Sequence, residues 1–335
     1  MSLGDLWFII IAVLWTGFFV LEGFDLGVGA LHRWVGRTEI DRRVAINSIG
    51  PVWDGNEVWL IVAGAGIFAA FPSWYATWFS AAYLALLLLL VALIIRGVSF
   101  EWRGKVAMPA WKGVWSWTLT VGSVLIPVLI GVALGDLLAG LPIDANEEYI
   151  GNFFDLLTPF GLWLGMTLLV LCLLHGSTFL GIKTDGDVRT RSRLAAIALS
   201  WPAVILVLVY AIWAHGLSDA GAWADVVLAV PVVAAVAAAL LVRAGLEGRA
   251  FAATALTIGG VIAALFVNLY PNVMVSSTDV ANNLTVAGTA SGDYALKVMT
   301  IVAAVMLPIV LLYQGWSYYV FRARITSPAP SDAIH

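Results

Sequence analysis

Asn47-Ser-Ile-Gly-Pro-Val-Trp-Asp-Gly-Asn-Glu-Val-Trp-Leu60 opens an apolar segment, 50–70, long enough to cross a bilayer, yet it carries Asp54 and Glu57 inside that segment. Three residues apart, the two carboxylates share one helical face. Asn47 and Gly50 extend that face toward the segment's start, so the polar atoms form a stripe. The apolar segment before it, 7–31, repeats the pattern with Glu22 and Asp25. Acids inside a span are costly, seldom face lipid, and mark ion paths, proton relays or binding sites. The stretch therefore reads as one crossing of a helical membrane protein with an ionic interior.

Composition points the same way. Of 335 residues, 61% are hydrophobic and 11% charged, with a mean hydropathy of +0.96. A soluble domain carries about 25% charged residues, so the membrane is this chain's solvent. The single cysteine, Cys172, has no intrachain disulfide partner and sits in an apolar run, as a small core residue does. The first residues lack the basic region and cleavage site of a signal peptide, so the first apolar run is expected to be a retained helix.

A window of about 20 apolar residues gives nine spans, at 7–31, 50–70, 76–96, 115–139, 157–181, 195–216, 223–242, 250–270 and 295–320. The fourth, fifth and ninth are long enough to tilt or project beyond the lipid. The longest gaps, 141–156 and 271–294, hold no folded unit. One transmembrane domain over 1–335 is expected, with the apolar 271–294 stretch folded back on the bundle or a partner.

Charge sets the orientation. All of the 17 Lys and Arg except Lys297 fall in alternate connections or the tail. The other connections hold Asp144, Glu147, Glu148, Asp155, Asp219 and Asp279. Basic loops stay cytoplasmic, which puts the N-terminus outside and the C-terminus inside. Trp7, Trp74, Trp78, Trp102, Trp111, Trp223 and Trp316 fall near expected helix ends, as interfacial aromatics do. Spans one and two run in opposite directions through a short connection. Glu22, Asp25, Asp54 and Glu57 thus share the cytoplasmic half and are expected to form one cluster open to that side.

On an insertion scale two acids cost span one about 5–7 kcal/mol, offset by about 4–9 from roughly fifteen apolar residues. The segment inserts only marginally unless the acids are off-centre, protonated, or facing water and protein. A relay or ion path is favoured over a purely structural network. Arg96, at the cytoplasmic end of span three, is either the counter-charge or a snorkelling arginine. Glu101 and Lys105 read first as a solvated i,i+4 pair. Of the histidines, His32 falls in the first connection, His215 at an outer helix end and His335 at the terminus. Only His175 is deep in a span, where hydrogen-bonded packing outweighs ligation of a metal or haem. No metal-ligand spacing, P-loop, dinucleotide fingerprint or Ser/His/Asp set is present. Gly23/Gly27, Gly131/Gly135 and Gly161/Gly165 form G-x-x-x-G spacings, a weak signal for close helix crossings.

Taken together, Gly23-Phe-Asp-Leu-Gly-Val-Gly29, Arg42-Arg43, Trp53-Asp-Gly-Asn-Glu-Val-Trp-Leu60, Phe100-Glu-Trp-Arg-Gly-Lys105, Ser276-Ser-Thr-Asp279, Lys297-Val-Met-Thr and Leu312-Tyr-Gln-Gly-Trp316 resemble subunit II of the cytochrome bd-type quinol oxidases. The resemblance implies an all-α polytopic fold of nine transmembrane helices: two four-helix bundles, about 1–139 and 157–270, and a last helix at 295–320. It implies a bacterial cytoplasmic (inner) membrane location and pairing with a haem-bearing subunit I. That partner would carry two haems b and one haem d and the quinol-oxidising site, with quinol as electron donor to the complex. Subunit II would ligate no haem, bind no nucleic acid, stabilise its partner and supply a cytoplasmic proton pathway for reducing dioxygen to water. Small accessory subunits, and a structural quinone found in some members, remain open, with no residues assigned. By resemblance Asp54 is the proton-path aspartate, and Asp25 matches the first-helix motif. Glu101 and Glu22 stand where other members have Asp, and Glu57 where some have Gln. Two other classes stand against this reading: a proton-coupled transporter, which predicts inverted repeats and paired broken helices not visible in the sequence, and a purely structural partner.

Overall fold

The structure, a computed structural model, describes residues 1–218 and 220–326. Asp219 and His335 lie outside the described residues.

The chain is built almost wholly of helices, and local chemistry fixes their ends. Helix α1 (Leu3–Val35) starts at a capping box between Ser2 and Asp5, and α2 (Glu39–Ile49) at another between Thr38 and Asp41. Helix α3 (Trp53–Ala70) stops at Phe71, and Pro72 opens the short α4 (Pro72–Ala81). Then come α5 (Tyr83–Trp102) and α6 (Pro109–Ala139), the latter ended by Gly140 at a φ of 92° that glycine alone adopts without strain. Thr158 caps α7 (Pro159–Lys183). Helices α8 (Gly186–Leu217), α9 (Ala222–Arg243) and α10 (Glu247–Leu269) follow. After a two-stranded ribbon, β1 (Asn272–Met274) with β2 (Leu284–Thr285), come the one-turn α11 (Val286–Thr289) and the long α12 (Asp293–Val320).

Among the described residues, eight helices are long and apolar enough to cross a membrane: α1, α5, α6, α7, α8, α9, α10 and α12. The expected second span corresponds to α3, whose 18 residues carry Asp54, Asn56 and Glu57 near its start and which stands outside those eight. The expected third span, 76–96, is divided. Its first part lies in α4, a one-residue irregularity at Ala82 interrupts the helix, and α5 continues to Trp102. The first span runs on to Val35, so His32 is a buried residue of α1 rather than part of a connection. The basic connection after it is largely the helix α2, an element that hydropathy does not see because its polar residues dominate.

Helix α1 is the centre of the bundle, packed by α3, α6, α7 and α10. Helices α6 and α7 cross through their glycine pairs. A Cβ on Gly131 would stand 2.6 Å from Gly165 Cα, and one on Gly135 2.7 Å from Gly161 Cα. Backbones that close are available only to glycine. Three tryptophans expected at the membrane interface, Trp7, Trp74 and Trp78, are core residues instead, while Trp102, Trp223 and Trp316 are exposed. Trp7 reaches inward because its indole N–H donates to Thr300 Oγ1 at 3.0 Å, satisfying the one polar atom of an otherwise apolar ring.

The 271–294 stretch lies against the bundle, with Val275 N–H donating to Leu137 O (2.9 Å) and Ser277 N–H to Leu141 O (2.9 Å). Helix α12 is the outlier. Of its 28 residues only Leu296 is buried, so it lies along α1 and α3 with most of its apolar surface uncovered.

Candidate functional site

Arg96, near the end of α5, is fully buried and forms the centre of the charged site. Its Nη2 lies 2.6 Å from Glu22 Oε1 and its Nη1 2.8 Å from Glu57 Oε2. It does not snorkel, because two carboxylates hold it inside; its guanidinium also sits 5.3 Å from the Phe100 ring and 5.9 Å from the Trp53 ring. One helical turn along α1, Asp25 is fully buried and accepts from Asn56 Nδ2 at 2.6 Å. Asn56 is a junction. Its amide also donates to Leu21 O at 3.2 Å, and its Oδ1 accepts from Gln314 Nε2 and Tyr318 Oη, each at 2.9 Å. Gln314 in turn accepts from Trp59 Nε1 at 3.1 Å. The site thus runs from Glu57, whose side chain is one-fifth exposed, through Arg96, Glu22, Asp25 and Asn56 to α12.

Three of the four expected acids converge and one does not. Glu22, Asp25 and Glu57 meet at the junction of α1, α3 and α5, whereas Asp54 is exposed, with no ion pair among the described residues. Residues three apart on a helix still differ by about 60° in direction. At the rim of α3 that angle turns Glu57 toward Arg96 and leaves Asp54 on the outer surface. Glu101 and Lys105 are also exposed and apart from the cluster. They do not pair as i and i+4, because α5 ends at Trp102 and the chain turns before Lys105.

Asn56, Gln314 and Tyr318 carry no role in the sequence reading. A signal existed: Gln314 and Tyr318 are one turn apart on a helix otherwise apolar in the middle, and Asn56 stands between the two acids of α3. A buried acid was missed as well. Asp136, on α6, accepts from Thr158 Oγ1 at 2.6 Å and ties the ends of α6 and α7.

The histidines show packing roles. His175 Nδ1 lies 2.6 Å from Thr254 Oγ1, its Nε2 lies 3.2 Å from Val20 O, and its ring stacks on Phe251 at 4.3 Å. With both nitrogens held by protein, it does not fit as an axial haem ligand. His32 Nδ1 faces Gly29 O, and His215 pairs with Asp225 on the exposed surface. No group of three or more His, Cys, Asp or Glu placed to hold a metal ion occurs among the described residues.

On the basic side of the molecule, α2 is held by ion pairs. Arg191 of α8 reaches Asp41 at 3.0 Å, and Arg103 reaches Glu39 at 2.7 Å. Burial works against ionisation of Asp41, but the Arg191 hydrogen bond and the Thr38 cap outweigh it and hold its carboxyl below the usual range.

The sequence profile described as cytochrome bd terminal oxidase subunit II matches residues 3–321. The chain is 42% identical over 333 residues to cytochrome bd ubiquinol oxidase subunit 2 of Bacillus subtilis, covering 98% of each. It is 36% identical over 358 residues to cytochrome bd-I ubiquinol oxidase subunit 2 of Escherichia coli K12, covering 96% of this chain and 94% of that one. Among solved structures, a chain of the bd oxidase from Geobacillus thermodenitrificans shares the fold, with a TM-score of 0.70 at 17% identity over 96% of this chain and 97% of that one.

Proposed function

Since the chain belongs to the cytochrome bd terminal oxidase subunit II family, and so is a multi-pass protein of the bacterial cytoplasmic membrane, we propose that it serves a quinol:oxygen oxidoreductase as its haem-free subunit. It stabilises a haem-bearing subunit I and conducts cytoplasmic protons toward the site where dioxygen becomes water. Nine crossings, counting α3, with the N-terminus outside and the basic connections inside, fit this reading. The haems, two b and one d, belong to the partner and supply the electron transfer and oxygen chemistry.

The observation that carries the reading is one guanidinium paired with two carboxylates, with a third, Asp25, buried one turn away. Fully ionised, Glu22, Asp25, Glu57 and Arg96 would hold two excess negative charges in a low-dielectric interior, which is prohibitive. Carboxyls this close exchange protons as a unit. Glu57 gives the cluster its contact with the surface, and Asp54, one turn earlier on the same helix, is an exposed acid. An exposed acid inside a crossing is tolerated only against water or protein, so the outer face of α3 is where the partner packs. Asp54 with Glu101 and Lys105 then sets the cytoplasmic mouth, and Glu57, Glu22 and Asp25 form the buried store.

A structural role has one observation in its favour: Arg96 is paired directly to two of the acids. Asp54→Asn separates the readings, since Asp54 makes no such pair. Quinol oxidase turnover should fall while the haem spectra of the assembled enzyme stay unchanged. Full turnover would leave the acids as scaffolding.

A further inference from the structure

A second polar cleft lies on the basic side, apart from the buried cluster. Its volume is about 310 Å³, and it is walled by α2 on one side and by the α5–α6 turn on the other. Glu39, Arg43 and Asn47 recur every four residues and so line one face of α2. Phe100, Arg103 and Gly104 come from the end of α5 and its turn, and Lys112 from the first turn of α6.

The charges are not balanced. Arg43, Arg103 and Lys112 face a single acid, Glu39, which leaves two positive charges in the lining. Arg103 is nearly buried and held rigid, its Nε donating to Ser116 Oγ at 2.8 Å and its Nη2 to Glu39 Oε2 at 2.7 Å. Lys112 approaches Glu39 only to 3.5 Å, and Arg43 is exposed and makes no ion pair among the described residues. A fixed guanidinium with two freer cations around it is the donor set that a phosphate group takes.

The height of the cleft says which phosphate. Trp102, Trp111 and Trp115 form a ladder beside it, with Trp102 and Trp111 stacked at 6.1 Å and Trp111 Nε1 donating to Trp102 O at 2.8 Å. Trp102 is half exposed. Exposed tryptophan at a helix end marks the headgroup level of a bilayer, and basic pockets between helices on that side suit anionic headgroups. We propose that this cleft binds the phosphate of an anionic phospholipid, with Arg103 as the fixed donor and Arg43 and Lys112 as the closing cations. The site is independent of the proton reading.

The test uses the assembled oxidase in nanodiscs of phosphatidylcholine containing phosphatidylglycerol, with native mass spectrometry counting retained phosphatidylglycerol. Arg43→Gln or Lys112→Gln should each weaken retention about fivefold, and the pair about twenty-five-fold. Arg43→Lys should restore most of it. Arg249→Gln, which removes an exposed charge elsewhere on the basic side, should change nothing. The haem spectrum reports assembly, and if the double variant fails to assemble the two single variants carry the comparison. Equal retention in the wild type and the Arg43 and Lys112 variants overturns the proposal. So does inorganic phosphate at millimolar concentration stabilising the wild type but not the Arg43 and Lys112 variants, with no effect on lipid retention, which would make the cleft a soluble-anion site.

Discussion

Where α6 crosses α7 the chain meets itself through glycine, and where α1, α3 and α5 meet it does so through ionisable side chains. The first contact brings Gly131 and Gly135 against Gly165 and Gly161 with no ion pair, and the Asp136–Thr158 hydrogen bond closes its end. The second sets Arg96 between Glu22 and Glu57, with Asp25 and Asn56 one turn away. Lipid offers helices no hydrophobic incentive to associate, so close packing of small residues is the inexpensive way to hold a bundle together. Buried charges are a costly way to do the same. The contrast is the reason to test whether the charges at the second contact serve more than cohesion.

Four perturbations break or sharpen that contrast, from the largest expected effect down. Arg96→Met leaves three buried acids without their cation and should destabilise the subunit by about 3–5 kcal/mol. Adding Glu22→Gln and Glu57→Gln to it should restore most of the stability, read by thermal unfolding of the assembled enzyme, without restoring turnover. Gly131→Leu drives a side chain into the Gly165 backbone and should cost about 1–3 kcal/mol or more. Its turnover per assembled complex should match wild type, because only packing is disturbed. Asn56→Leu removes the donor to Asp25 and the acceptor for Gln314 and Tyr318. A loss of about 1–3 kcal/mol is expected, with earlier proteolysis at the α12 end.

The smallest effect lies outside the eight apolar helices, at Asp41. Its carboxyl is held below the usual range, so the ion pair with Arg191 stabilises the fold above the unfolded carboxylate value, about 3.9. That stabilisation is lost as pH falls through the lower folded value. Unfolding followed between about pH 5 and 3 should therefore show a shallower loss in Asp41→Asn than in wild type.

The two contacts were also unequally legible in the sequence. The glycine spacings could be read but not paired, since many such spacings occur by chance in a glycine-rich membrane chain. The acids stood out because charge is rare in the spans, and their shared depth followed from the basic connections. Which acids met did not follow. Asp54 and Glu57 look equivalent by spacing, and only the position of Arg96 on α5 decides that Glu57 turns inward. Gln314 and Tyr318 join Asn56 across most of the chain's length, a contact no local pattern reveals. The eight helices long and apolar enough to cross came from hydropathy, while α2 and the divided third span did not. The first is too polar for an apolar window, and the break at Ala82 is a one-residue backbone irregularity inside a continuous apolar run.

The most direct measurement of the claim that the buried acids carry protons is proton uptake during a single turnover, in proteoliposomes holding oxidase with Asp25→Asn. Asn preserves the volume and can still meet Asn56, so the fold and the haem spectra should be retained. The account predicts that haem reduction by quinol proceeds normally while proton uptake from the cytoplasmic side slows on the order of tenfold or more. Uptake at the wild-type rate, in an enzyme with wild-type stability, would contradict it.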